Sequence, residues 1–307
     1  MNESLELRVQ SLDPVEILTD FIYKQGIKSF RYHSDQNIFR GNLNQRSTPH
    51  SKLLTLIFYV PRCQAMPKLE PYSRKLDYSY QLGVFPALML LEARPECALR
   101  LLLNPQGLEN EGVVKLRERC AQLGVREEMA ERVLRRESKK DNCFAGLVFK
   151  QYDCALEPSA NHAVLCQITD NGNAGTAMRS LLGFGIRDVA LVRPCVDVFD
   201  PHVLRASMGA FFKLRVRTYD SFDDYRAEHP ERPLYPFMLD GARPLDEVAA
   251  EASAPFSLVF GNEQAGLPPL FSRLGQSVFI PQSPEIDSLN LAVAVSVGTY
   301  TFMNIHR

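Results

Sequence analysis

The sequence is poor in the usual chemical signposts. Its seven cysteines, at positions 63, 97, 120, 143, 154, 166 and 195, show no CxxC spacing, so neither a disulfide framework nor a zinc site is indicated, and a reducing compartment fits best. Six histidines are scattered without ligand or triad spacing. There is no GxGxxG fingerprint and no GxxxxGK[ST] loop, which weakens the case for an ordinary dinucleotide or nucleoside triphosphate enzyme. Excess charge is also absent: the formal net charge is −1 over 307 residues, so any polyanion must be bound by local patches and shape. No apolar run approaches membrane-spanning length, and Glu3, Glu6 and Asp13 interrupt the start of the chain, so a cytoplasmic protein without membrane contact is expected. No internal repeat stands out. With 45% hydrophobic residues, a chain of this length can bury more than one core.

What is present lies mostly in the second half. Three times a short apolar run leads into a polar loop and then a helix-like segment. Ala163–Ile168 precedes Thr169–Gly175, Phe256–Phe260 precedes Gly261–Gly266, and Val278–Ile280 precedes Pro281–Asn290. Such runs read as buried parallel strands, and ligands in open α/β sheets bind beyond the carboxyl ends of the strands. Three loops on one sheet edge therefore predict one site.

Each loop taken singly stays ambiguous. Asn173 suits a helix N-cap, with Ala174–Phe184 helical, Met178, Leu181 and Leu182 on its apolar face, and Gly185 as the stop. Arg179 on that helix reads as an anion ligand through its planar fork, or as a solvated surface arginine. Glu263 lies between two glycines, where backbone can approach a ligand, and reads equally as a cap for the next helix. Ser288 reads as a site residue or as the N-cap of the final helix.

Their order is more specific. Asn173-x-Gly175-x-x-x-Arg179, then Gly261-Asn262-Glu263-x-x-Gly266-Leu267, then Ile280-Pro281 with Ser288-Leu289-Asn290, resembles the three motifs of the SpoU/TrmH-type RNA ribose methyltransferases over about residues 160 to 307. The resemblance implies an α/β fold with a parallel-sheet methyltransferase domain and a C-terminal trefoil knot, which chain-threading statistics alone would disfavour. It further implies S-adenosylmethionine as cofactor, with Gly261, Ile280 and Leu289 among its contacts. Asn173, Arg179, Glu263, Ser288 and Asn290 match the family's catalytic and supporting positions, and no metal is called for. The expected reaction is methylation of a ribose 2′-hydroxyl in structured RNA, with ribosomal RNA slightly favoured over transfer RNA. Two alternatives remain: a catalytically silent RNA-binding protein on the same scaffold, and a small-molecule methyltransferase.

The segment from Leu289 to Asn304 is apolar around most of its circumference, with small residues interleaved, so it must be buried in a core or against another chain. The resemblance implies a homodimer packed there. Upstream, elements expected at Val84–Glu92, Ala98–Leu103, Asn110–Leu123, Glu127–Leu134 and Cys143–Phe149 make a small α/β unit. Its position resembles the substrate-recognition domain that many family members carry. Arg132, Arg135, Arg136, Lys139 and Lys140 form a run that reads as phosphate-contacting or as a solvated helix face. Lys213, Arg215 and Arg217 would share one face of a strand, tracking RNA or guarding a sheet edge. The division expected is 1–72 as an extension of unreadable role, 73–155 as recognition domain and 156–307 as methyltransferase domain. Within the extension, Pro14–Tyr23 looks helical, Arg40–Ser51 loop-like and Leu53–Val60 strand-like.

Overall fold

A computed structural model describes residues 68–305 in full, and the backbone of three further strands nearer the start of the chain. The chain divides into two compact units, 1–69 and 70–307. In the first, β1 (Phe30–His33), β2 (Ile38–Leu43) and β3 (Leu54–Tyr59) form an antiparallel sheet in that order. The apolar stretch expected to be extended is β3, and Arg40–Leu43, expected as loop, belongs to β2. The helix expected at Pro14–Tyr23 lies outside the described residues.

The second unit holds a two-stranded sheet and two larger ones. The upstream one has the order β4 (Tyr78–Leu82), β7 (Ala145–Lys150), β5 (Ala98–Leu103), β6 (Arg126–Met129). Only β5 and β6 pair in parallel. It is covered by α1 (Val84–Ala93), α2 (Glu111–Gln122) and α3 (Glu131–Ser138). Asn110 caps α2, its side chain accepting from the Gly112 and Val113 N–H groups.

The downstream sheet is wholly parallel, in the order β10 (Arg215–Tyr219), β9 (Asp188–Val192), β8 (His162–Cys166), β13 (Ser257–Phe260), β11 (Leu234–Pro236). Strands β8, β9 and β13 are buried at every residue, which is why they read as unbroken apolar runs. Helices α4 (Asn171–Phe184), α5 (Pro201–Ala206), α6 (Phe222–Glu228), α7 (Leu245–Glu251) and α8 (Leu291–Asn304) complete it. The two sheets share a continuous apolar core, with Phe149 of β7 edge-on to Phe212 at 5.2 Å between ring centres.

Two expectations change. Val278–Phe279, β14, is not a strand of the main sheet: it pairs in parallel with β12 (Arg243–Pro244), and Val278 bridges to Phe237 just beyond edge strand β11. The third loop therefore approaches the site from the sheet's flank. The basic stripe at 213–217 is an edge feature whose charges are already matched. Lys213, in a 3-10 turn, pairs with Glu92, Arg217 with Glu228, and Arg215 with the buried Asp188.

Candidate active site

The first loop leaves β8 at Cys166. Gln167 follows in the left-handed region at φ 57°, and its carbonyl accepts from Asn262 Nδ2 of the second loop at 2.8 Å. The helix then begins earlier than expected. Asp170, not Asn173, is the N-cap of α4, its Oδ1 accepting from the Asn173 N–H at 2.7 Å. Asn173 lies in the first turn, and its side chain is free to reach across the site. Gly185 closes the helix at φ 100°, as a left-handed C-cap should.

The second loop is built by its own backbone. Asn262 and Gly266 exchange N–H to carbonyl bonds of 3.2 and 2.9 Å, while Asn262 Oδ1 accepts from the Gln264 and Ala265 N–H groups at 3.0 Å. A methyl group on Gly261 would sit 2.3 Å from the Gly266 carbonyl carbon. Glycine at 261 is thus demanded by closure of the loop on itself.

That closure aims Glu263 at the first loop. Its carboxylate accepts from the Asp170 N–H (3.1 Å), the Thr169 N–H (3.3 Å), Asn173 Nδ2 (3.5 Å) and its neighbour Asn262 Nδ2 (3.3 Å). The third loop joins through Asn290, whose Nδ2 donates to Asn173 Oδ1 at 2.9 Å. Asn290 also caps α8, its Oδ1 accepting from the Ala292 and Val293 N–H groups. Three residues distant in sequence therefore lock the three loops together.

Beside this junction is a cavity of about 440 Å³, within the ordinary range for a small-molecule site. Phe237, Leu267, Ile280, Leu289 and Leu291 give it apolar walls, with Gly261, Glu263 and Ser288 on its border. Ser288 makes no hydrogen bond among the described residues. Such a slot, apolar with a few polar groups at the rim, fits a nucleoside-bearing ligand of the size of S-adenosylmethionine. Cys166 lies beneath the loops, but burial pushes its thiol up to about 12, which disfavours a thiolate nucleophile there.

Arg179 stands apart. It is exposed on α4, does not border the cavity, and has no hydrogen bond or ion pair among the described residues. The basic run is divided. Arg135 pairs with Glu131 and Asp141 and Arg136 with the buried Glu137, Arg132 and Lys139 are exposed, and Lys140 borders a second cavity described below. Sequence reasoning missed Asp170, Thr169 and Asn262. An aspartate three residues before an amide-bearing helical position, and an asparagine four before a glycine, were the available signals.

Residues 160–300 match the family model described as the SpoU rRNA Methylase family. This part of the chain is similar to the SpoU methylase domain. The chain is 30% identical over 164 residues to an uncharacterized tRNA/rRNA methyltransferase of Synechocystis, covering 52% of this chain and 59% of that protein. It is 31% identical over 137 residues to the 23S rRNA (guanosine(2553)-2'-O)-methyltransferase of Bacillus subtilis, covering 43% and 54%. The chain thus spans between half and three-fifths of these relatives. In fold it is similar to an AdoMet-bound rRNA methyltransferase from Sinorhizobium meliloti, with a TM-score of 0.63 at 24% identity over 74% of this chain and 87% of that one.

Proposed function

We propose that this protein is an S-adenosylmethionine-dependent RNA 2′-O-methyltransferase acting on structured RNA, with ribosomal RNA favoured over transfer RNA. The observation that carries this reading is the Asn173–Glu263–Asn290 junction, which fixes three loops beside an apolar cavity within the residues that match the SpoU family model. When bound, S-adenosylmethionine supplies an already activated methyl group, so the protein must chiefly position a ribose 2′-oxygen and assist loss of its proton. Gly261, Ile280 and Leu289 would hold the cofactor. The Glu263 carboxylate is occupied by N–H donors and serves as an organiser of the loops. Ser288, with a free hydroxyl on the cavity border, is the group available to the ribose. A guanidinium is a poor base, so Arg179 binds the neighbouring phosphate and stabilises developing negative charge on the 2′-oxygen.

The same reading extends to the rest of the chain. Residues 73–155 serve as the recognition domain, 156–307 as the catalytic domain with its C-terminal trefoil knot, and 1–72 as an accessory extension. Supporting the knot, loops 261–267 and 280–290 border one cavity while α8 packs on α4. A homodimer forms through α8, whose outward face carries exposed Val293, Val297 and Tyr300. A cytoplasmic location goes with this reading; no described helix is long and apolar enough to cross a membrane.

The test is transfer of labelled methyl groups from S-adenosylmethionine to unmodified ribosomal and transfer RNA, followed by nucleoside analysis, with Arg179→Ala and Arg179→Lys alongside. Label on a ribose 2′-oxygen, lost in both variants, is expected. Cofactor binding without transfer to either RNA would favour a silent RNA-binding protein instead. Near-normal turnover in Arg179→Lys would rule out recognition of phosphate through the guanidinium fork.

A further inference from the structure

A second cavity, about 660 Å³ and open to solvent, lies where the upstream sheet's helices meet the catalytic helix. Its border includes Lys140 after α3, Asn171 and Gly172 at the start of α4, and His202, Arg205 and Met208 on and after α5. We propose that this groove holds the single-stranded RNA segment adjoining the modified nucleotide, with phosphates on Lys140, His202 and Arg205 and a base against Met208. The inference rests on the RNA methyltransferase reading and deepens it, by naming the path by which RNA crosses from one half of the unit to the other.

Four observations converge on this. The groove is rigidly continuous with the catalytic helix: a methyl group on Gly175 would fall 2.5 Å from both Ala206 Cβ and the Val203 carbonyl oxygen. The glycine in the Asn173-x-Gly175 motif is therefore what lets α5 sit directly on α4. Arg205 then ties α5 to the upstream half, its Nη1 donating to the Ser138 carbonyl at 2.9 Å, which leaves its remaining donors for a ligand.

The charge is unbalanced in the right direction. Lys140 and Arg205 have no carboxylate partner among the described residues, whereas Arg135 and Arg136 of the α3 run are matched by Glu131, Asp141 and Glu137. His202 Nδ1 donates to Asp200 Oδ1, 2.9 Å away, which fixes the ring and leaves Nε2 as the free nitrogen. Finally, an apolar side chain is presented where burial would be expected. Met208 is 39% exposed and held at φ 51°, followed by Gly209 at φ 86° packed against Met89 and Pro86 of α1. A non-glycine residue in the left-handed region carries a conformational cost, and here it turns a soft apolar group outward beside Lys140 and Arg205. Lys140 and Arg205 on the border beside the exposed Met208 suit an unpaired strand, whose bases are free to stack, better than a duplex.

The test uses whichever transcript the wild-type protein methylates. Methyl-transfer kinetics, and filter binding across a KCl series, are compared for wild type, Lys140→Ala and the double variant His202→Ala/Met208→Ala, with S-adenosylmethionine affinity and melting temperature measured in parallel. Each variant is expected to raise KM for RNA about tenfold while cofactor affinity and melting temperature stay at wild-type values. Losing Lys140 should also reduce the log-log salt slope by about one, which a purely structural role would not do. RNA carrying 4-thiouridine beside the target nucleotide should crosslink to the peptide containing Met208. Unchanged KM and salt slope, with crosslinks elsewhere, would overturn the groove while leaving the methyltransferase reading intact. If wild-type protein neither binds nor methylates any transcript, both readings fall.

Discussion

Asn173 and Asn290, 117 residues apart in the chain, meet side chain to side chain, with Asn290 Nδ2 donating to Asn173 Oδ1 at 2.9 Å. The Asn173 amide cannot simply turn over to suit a different partner, because its Nδ2 already faces the Glu263 carboxylate. Asn290→Asp separates the two tasks of this residue. An aspartate still accepts from the Ala292 and Val293 N–H groups, so α8 keeps its cap and the melting temperature should move little. The bridge, however, becomes oxygen against oxygen. Methyl transfer is expected to fall roughly ten- to a hundredfold, the range for a lost hydrogen bond that leaves its partner unsatisfied. Asn290→Ala should lose both stability and activity. Equal activity in wild type and Asn290→Asp would remove the bridge from the mechanism.

Two glycines in α4 should respond in opposite ways to the same substitution. Gly175→Ala places a methyl group against α5 backbone, with the Val203 carbonyl at 2.5 Å and the Ser207 nitrogen at 2.8 Å. Forced separation of two packed helices costs about 1–3 kcal/mol, seen as a melting temperature several degrees lower. Gly183→Ala meets nothing within 4 Å and sits in helix, so it should be neutral or stabilise by up to about 1 kcal/mol. Differential scanning calorimetry on the pair checks both signs.

How much of this was legible beforehand follows from what each residue depends on. The buried strands β8 and β13 were legible because their apolar runs end in polar loops, and the final helix from its apolar, small-residue composition, although its cap is Asn290 and not Ser288. The start of α4 was displaced because Asp170 and Asn173 are both good capping residues and only the fold shows which one turns inward. β14 was assigned to the main sheet because a short apolar run carries no information about its partner, and Val278 pairs outside it. At the site, Glu263 and Asn290 were named, but their bonding to Asn173 comes from loop closure by Asn262 and Gly261, which no spacing encodes. The groove on α5 was invisible for the same reason. His202 and Met208 acquire meaning only once Gly175 brings α5 against α4.

The final helix was expected to be buried all round, and within one subunit it is not. Val295, Gly298 and Phe302 face the core, while Val293, Val297 and Tyr300, spaced at one and two helical turns, are exposed, Tyr300 at 55%. Tyr300 also packs edge-on to Phe184 of α4, extending the apolar surface across both helices. Val297→Glu is expected to convert a dimer to a monomer in sedimentation equilibrium without unfolding it, since the position faces outward. Val295→Glu, at a fully buried position, should unfold the protein. A Val297→Glu protein with the same mass in solution as wild type would count against the proposed dimer through α8.

Stability should fall between pH 7 and pH 5 because of a cluster below the sheet, far from the loops. His162, fully buried at the start of β8, has Nδ1 at 3.0 Å from the Tyr225 hydroxyl and Nε2 at 2.9 Å from the Glu157 carbonyl oxygen. Burial lowers its pKa to about 4, and the nearby Arg232 and His229 push the same way. His229 is lowered too, again chiefly by burial. Between about pH 6.5 and pH 4 the unfolded chain therefore binds protons that the folded chain refuses, so stability rises with pH across that window and is lost on acidification. For His162 alone the loss from pH 7 to pH 5 is about 2 kcal/mol. The carboxylates Glu127, Glu157 and Glu251 are all shifted below 4.5 and contribute at lower pH, which leaves this interval to the histidines. Urea denaturation of wild type and His162→Gln at both pH values checks it. The variant should be less stable at pH 7, through the disturbed bond to Tyr225, yet lose much less on moving to pH 5. Parallel losses in the two proteins would show that His162 is not the group that titrates.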